Sequence, residues 1–152
     1  MINARRIGTR HSKGRLGVLA LAAALAGAAW AETPAPARTL SIDLNQLKPS
    51  EAGCLVTFVA VNGLDRTLDK AAFEVVVFDG QGLVERMTVL DFRDLPAGRK
   101  KVRQFDLPGA ACAGIGSILV NGAADCAGAG VEPGLCTTNL VTGSKSGIPL
   151  EN

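Results

Sequence analysis

Four cysteines are the residues of this chain best equipped for chemistry: Cys54, Cys112, Cys126 and Cys136. Three of them fall in one stretch, CAGIGSILVNGAADCAGAGVEPGLC, running from Cys112 to Cys136. A thiol can hold a metal, exchange with a disulfide, or close a structural bridge, and spacing separates these uses. No two are arranged C-x-x-C, the spacing with which thiol oxidoreductases lower a thiol pKa and resolve a mixed disulfide. They do not form paired short-spaced ligands of zinc-ribbon type, so zinc would need all four thiolates. In an oxidising compartment paired cysteines become disulfides, which makes two structural bridges the expected use. Four cysteines allow three connectivities, and spacing alone leaves them open.

Whether the compartment is oxidising depends on the first 31 residues. Arg5, Arg6, Arg10, Lys13 and Arg15 form a cationic start, and Leu16 to Trp30 is an apolar run of about fifteen residues. Ala29-Trp30-Ala31 has the small-x-small form that a signal peptidase accepts. The run is shorter than the about 20 residues of a membrane span. Residues 1–31 therefore read as a cleavable signal peptide, and no membrane span is expected in the mature chain. No cysteine follows the run directly, so a lipoprotein anchor is not expected. Arg5-Arg6 raises the twin-arginine route, although ARRIGTR lacks the usual residues around the pair, so the route (Sec or twin-arginine) stays open. The expected destination is the periplasm.

Cleavage changes what chemistry remains. The only His, His11, and the only Trp, Trp30, leave with the signal, and the chain has no Tyr. Ser-His-Asp, Cys-His and His-metal catalysis are thereby excluded from the mature chain. Five of the sixteen basic residues also leave while all fourteen acidic ones stay, so the net charge moves from +2 to −3. The basic balance belongs to the signal and does not point to nucleic acid. Ser144-Lys145-Ser146 lacks the Ser-x-x-Lys spacing that sets both groups on one helical face. Asp91 and Asp94 could pair for acid/base work if one were buried, but Asp is more often a turn residue, and so is Asp79 before Gly80. GAGVEPG (Gly128 to Gly134) has no Gly-Lys-Ser/Thr ending and no expected helix after it, so it reads as a plain loop rather than a phosphate loop. One further cluster, Arg99, Lys100, Lys101 and Arg103, offers a patch for an anionic partner. Its plainer reading is a charged edge strand that blocks sheet-to-sheet aggregation.

The elements that must position these groups are strands. ETPAPAR (Glu32 to Arg38) is a Pro/Ala-rich leader, extended and mobile. Leu40, Ile42 and Leu44 alternate with polar residues, a half-buried strand. CLVTFVAVNG (Cys54 to Gly63) is apolar on both faces, as a central strand is. LDRTLDKAA (Leu64 to Ala72) is polar, with room for a short helical turn. FEVVVFDGQGLVERMTVLDF (Phe73 to Phe92) reads as a β-hairpin whose Asp79-Gly80-Gln81-Gly82 loop uses glycine for positive φ. RKKVRQFDL, IGSILVNG and Cys136 to Thr142 read as further strands, with a Gly/Ala/Cys-rich loop from Ala123 to Leu135. Residues 143–152 read as a flexible polar tail. About seven short strands with a turn signal every ten or so residues, and no long amphipathic helix, predict an all-β protein. The expected architecture is an antiparallel immunoglobulin-like β-sandwich over residues 39–142.

Val61-Asn62, Phe73, Phe78-Asp79, Gly82, Leu95-Pro96 and Gly98 carry a resemblance to the small exported bacterial domains called FxLYD-type. It covers about Cys54 to Asn121, roughly half of the mature chain, and departs in having Phe78 where Tyr is usual and one extra residue before Gly98. The whole chain also resembles uncharacterised exported proteins with twin-arginine-like signals. The resemblance implies a sandwich and carries no catalytic residues. In an immunoglobulin-like order the strands beginning near Cys54 and Ile115 run parallel in opposite sheets, which favours Cys54–Cys112. Cys126 and Cys136 would then close the glycine-rich loop.

The function expected from these features is a non-enzymatic periplasmic domain. It binds a protein or envelope component of unknown identity and needs no cofactor. Strand edges or the basic patch would supply the contact. The alternative is a thiol-based metal-binding or redox protein that uses Cys126 and Cys136. The absence of Trp and Tyr from the mature chain weighs against sugar binding, which usually stacks rings on those side chains.

Overall fold

The structure is a computed structural model, and it describes residues 38–132 and 134–152. The expected signal peptide, and all of the expected leader but Arg38, lie outside the described residues.

Eight strands form two four-stranded sheets. They are β1 (Leu40–Pro49), β2 (Gly53–Asn62), β3 (Leu68–Asp79), β4 (Val84–Leu95), β5 (Lys100–Pro108), β6 (Ile115–Ala127), β7 (Leu140–Ser144) and β8 (Leu150–Glu151). One sheet has the order β5-β2-β1-β7 and the other β4-β3-β6-β8. The expected sandwich is present, with β1, β2 and β5 in one sheet and β3 and β6 in the other.

Period-2 patterning explains which faces meet. In β1 the alternate residues Leu40, Ile42 and Leu44 are buried. In β2 the series Cys54, Val56, Phe58, Ala60 and Asn62 points inward, and neighbours on both sides cover much of its other face. From β3 and β6 come Phe73, Val75, Val77, Ile118 and Val120. Phe92 stands at the centre, its ring 5.6 Å from Phe58, 5.6 Å from Phe73 and 5.1 Å from Phe105. Tilted and edge-on rings at these distances stabilise a core beyond their buried area.

The residues that carry the resemblance act as joints. Asn62 has no exposed surface. Its Nδ2 donates to the carbonyls of Arg66 at 2.9 Å and Leu95 at 2.7 Å, and its Oδ1 accepts from the Leu64 amide at 3.0 Å. One side chain thus ties the β2–β3 connection to the end of β4. The Asp79 carboxylate accepts the amides of Gln81 and Leu83, closing the β3–β4 hairpin. Gly82 supplies the positive φ in that turn, at 81°, and Gly98 in the next, at 67°. Gly80 is not in the left-handed region, so one glycine rather than two meets that expectation.

The C-terminal third differs most from expectation. The sheets are mixed rather than wholly antiparallel: β7 runs parallel to β1, and β8 parallel to β6. β6 continues to Ala127, because Cys126 and Asp125 stay paired with Ala71 and Ala72 of β3. The glycine-rich segment then gives way to one helical turn, α1 (Leu135–Thr138), where a strand was expected to begin. That connection hands the chain to the other sheet, and the Leu40 amide donates to the Asn139 carbonyl at 2.9 Å as β7 starts beside β1. Leu64 to Thr67, where a helical turn was expected, is irregular and leads directly into β3. Residues 143–152, expected as a flexible tail, hold the end of β7 and all of β8. Leu150 is 7% exposed, Ile148 packs on the core, and the Ile118 amide bonds the Pro149 carbonyl at 3.0 Å. Apolar side chains and ladder bonds hold down a segment whose composition reads as polar.

Candidate functional site

The cysteines pair as Cys54–Cys112 and Cys126–Cys136, with Cα–Cα distances of 5.1 and 6.0 Å. Cys54 opens β2, and Cys112 lies in the 3₁₀ turn (Cys112–Gly114) that leads into β6, so the first bridge joins the two sheets at one end. The second closes the loop between β6 and α1. Cys54 and Cys136 are fully buried, and Cys112 and Cys126 half-buried. No group of three or more His, Cys, Asp or Glu that could hold a metal occurs among the described residues.

The basic cluster does not act as a unit. Lys100, Lys101 and Arg103 lie on β5, an edge strand, where alternation turns Lys101 and Arg103 one way and Lys100 the other, and Arg99 precedes the strand. Arg103 turns toward β4, the edge strand of the other sheet. Its Nε donates to the Phe92 carbonyl at 2.6 Å and its Nη2 to the Asp94 carbonyl at 3.0 Å, with the Asp94 carboxylate 3.3 Å away. Lys101 Nζ lies 3.4 Å from the same carboxylate. Arg99 and Lys100 are exposed and form no ion pair among the described residues. Two cations therefore join the sheets and two face solvent.

Farther along the same side, Arg86 on β4 donates from Nη2 to the Pro108 carbonyl at 2.8 Å, where β5 ends. Arg86 and Arg103 form two rungs between strands that share no main-chain ladder. Between the strands is an open cleft of about 490 Å³, lined by Asp91, Arg93, Asp94, Lys101, Arg103 and Phe105. Asp91 and Asp94 are exposed, and each serves local structure, Asp91 by accepting the Arg93 amide at 2.7 Å. Arg93 has φ 60°, the only non-glycine residue with positive φ among those described. Such a backbone costs about 1–3 kcal/mol and persists where surrounding structure imposes it. Here the imposition is an irregular pairing with Ala71 and Ala72 of β3. The Arg93 guanidinium has no acceptor among the described residues.

β4 brings a second feature to this side. Among the described residues six large apolar side chains are strongly exposed, and four lie within one run of seven, Leu83 in the β3–β4 turn and Val84, Met87 and Val89 on β4. Met87 pairs with Val76 and Val76 with Leu119, so an apolar row crosses the outer face of the sheet. Val76 is only 5% exposed yet lies outside the core cluster, because its outer-face neighbours cover it.

No family model, curated protein or solved structure matches the chain.

The sequence patch at Arg99, Lys100, Lys101 and Arg103 thus lies on the same β4–β5 side as Arg93, Arg86 and the Met87–Val89 stripe. Arg86 and the Met87–Val89 stripe carry no such signal in the sequence. Met87 and Val89 share one parity, while Leu90 and Phe92 share the other. Only the packing shows which of the two apolar sets faces outward. The glycine-rich loop has one helical turn after it, α1, contrary to expectation, and at four residues that turn gives the loop no phosphate-binding helix start.

Proposed function

We propose that the protein is a non-enzymatic, exported binding domain of the cell envelope whose contact surface is the β4–β5 side of the sandwich. The observation that carries this is the juxtaposition on one side of an exposed apolar strand and unpaired cations. Monomeric surfaces scatter large apolar side chains, and three on an edge strand with a fourth in the turn before it are a liability unless something covers them. The cations next to it confer choice of partner more than affinity. The net charge of −3 for residues 32–152 weighs against nucleic acid. The expected export to the periplasm agrees with two disulfides and with the absence, among the described residues, of any helix long and apolar enough to cross a membrane. The thiol-based alternative requires attack on Cys126–Cys136, yet Cys136 has no exposed surface, so exchange would have to begin at half-buried Cys126.

The test is site-specific photocrosslinking in the producing cell, with the probe at Met87 or, on the opposite side, at Val141. Discrete adducts from position 87 and none from 141 support the assignment. Equal labelling from both, or none from either, overturns it.

A further inference from the structure

We infer that the β4 edge receives an extended peptide as an added strand, with two apolar side chains in alternate positions and a carboxylate beyond them that pairs with Arg93. This rests on the assignment of the β4–β5 side as the contact surface and names its ligand.

The edge has a defined window. Pairing of β4 with β3 is regular only from Arg86 to Asp91, with irregularities on either side of that run. At the far end Arg103 already occupies the carbonyls of Phe92 and Asp94. Main-chain bonds are therefore open to a newcomer over six residues, roughly 20 Å of strand. Addition to an exposed edge draws affinity from the main chain and specificity from alternate side chains. On the outer face of this window the alternate side chains are Met87 and Val89; Val76 and Leu119 continue an apolar row behind Met87, and Glu74, which accepts from Asn121, lies behind Val89.

Charge selects the occupant. Take antiparallel addition and call p the peptide residue opposite Val89. Residue p+2 then faces Met87, and p−4 comes beside Arg93. Apolar side chains suit p and p+2, and an acidic one suits p−4, since the Arg93 guanidinium has no acceptor among the described residues, whereas Lys101 in the same cleft is already paired with Asp94. A second copy of the chain fits worse. The two-fold register that sets Met87 against Val89 of the second copy also sets Glu85 against Asp91, twice, and like charges directly opposite are destabilising. The neighbouring registers place a carboxylate against Met87 or Val89. The complementary strand is thus a different chain, acidic and then apolar.

The probe is a fluorescein-labelled decapeptide with Glu four residues ahead of Val-Ser-Val and Ser, Thr or Gly elsewhere. Its binding to the oxidised protein is followed by anisotropy. The expected result is saturable binding, lowered about tenfold or more by Val89→Lys and by Arg93→Glu. A peptide with Lys in place of Glu should regain affinity for the Arg93→Glu protein. Proline at p should abolish binding by removing a main-chain donor. No saturation at millimolar peptide, or affinity unchanged in both protein variants, overturns the inference. Sedimentation showing a dimer that Val89→Lys dissociates would assign the edge to a second copy and also overturn it. Crosslinks from position 87 in cells together with failure of the peptide would leave the contact surface standing and remove only this ligand.

Discussion

The side of the sandwich where β7 and β8 lie and the side where β4 and β5 lie meet the same problem, the exposed strand edge, with different means. On the first, the edges are short, five and two residues. Asn152 crosses between them, its Nδ2 donating to the Leu140 carbonyl at 3.3 Å and its Oδ1 accepting from Thr142 Oγ1 at 2.7 Å. The Cys126–Cys136 bridge holds the connection that feeds this side. On the second, the edges are twelve and nine residues long, bridged by Arg86 and Arg103 reaching carbonyls across the gap and by the Lys101–Asp94 ion pair. Short edges are a standard protection against unwanted pairing. A long edge with exposed apolar side chains, as on β4, lacks that protection.

Removing the covalent constraints should separate the two sides most. By loop entropy the Cys54–Cys112 bridge, spanning 58 residues, is worth about 4 kcal/mol and Cys126–Cys136, spanning 10, somewhat under 3. Urea unfolding of the two double Cys→Ser proteins should rank them in that order. Hydrogen exchange should show the first substitution loosening both sides and the second loosening mainly β7 and β8. Equal loosening by the second would mean that the sides are not independently held. Next is Arg103→Ala, expected to cost about 2 kcal/mol, because charged donors to partly buried carbonyls are worth more than neutral ones. Its exchange effect should fall on β4 and β5, and Arg103→Lys should recover less than half, since an ammonium cannot reproduce the fork. Asn152→Ala, which removes one exposed and one part-buried neutral bond, should cost about 0.5 kcal/mol and leave β4 untouched.

The smallest effect concerns pH. The hydrogen bond and charge of Asp125, 2.6 Å from Lys70 Nζ, raise the Lys70 pKa above its ordinary 10.5. A cation with a raised folded pKa contributes fully below its unfolded pKa and loses that contribution as pH rises through the folded one. The difference in unfolding midpoint between the natural protein and Lys70→Met should therefore hold steady up to about pH 10 and shrink above it. A constant difference through that range would show that the pair contributes nothing through charge.

Much of the fold was legible because strands announce themselves locally. Leu40, Ile42 and Leu44 alternate, Asp79 to Gly82 spells a turn, and Cys54 to Gly63 is apolar on both faces as a doubly flanked strand must be. The bridge pairing followed from strand order, since a chain that starts β2 and β6 at one end of a sandwich brings Cys54 and Cys112 together. The C-terminal third resisted for the same reason in reverse. Gly, Ala and Ser carry little local preference, so the extension of β6 to Ala127 and the capture of Leu150 by β6 come from neighbours, not from the segments themselves.

By itself the sequence determined that the chain is built of strands, that its cysteines would be joined rather than free in an oxidising compartment, and that residues 32–152 hold no histidine. These follow from period, turn chemistry and composition, all readable within a few residues. The surface proposed for contact exists only in the tertiary structure. β4 and β5 are distant partners in different sheets, and whether Met87 and Val89 or Leu90 and Phe92 face the core depends on which side of β4 the other sheet covers. Arg103 shows the dependence most plainly. In sequence it is one of four clustered cations; in the folded chain it joins two sheets, and Arg93, outside the cluster, has no ion pair among the described residues.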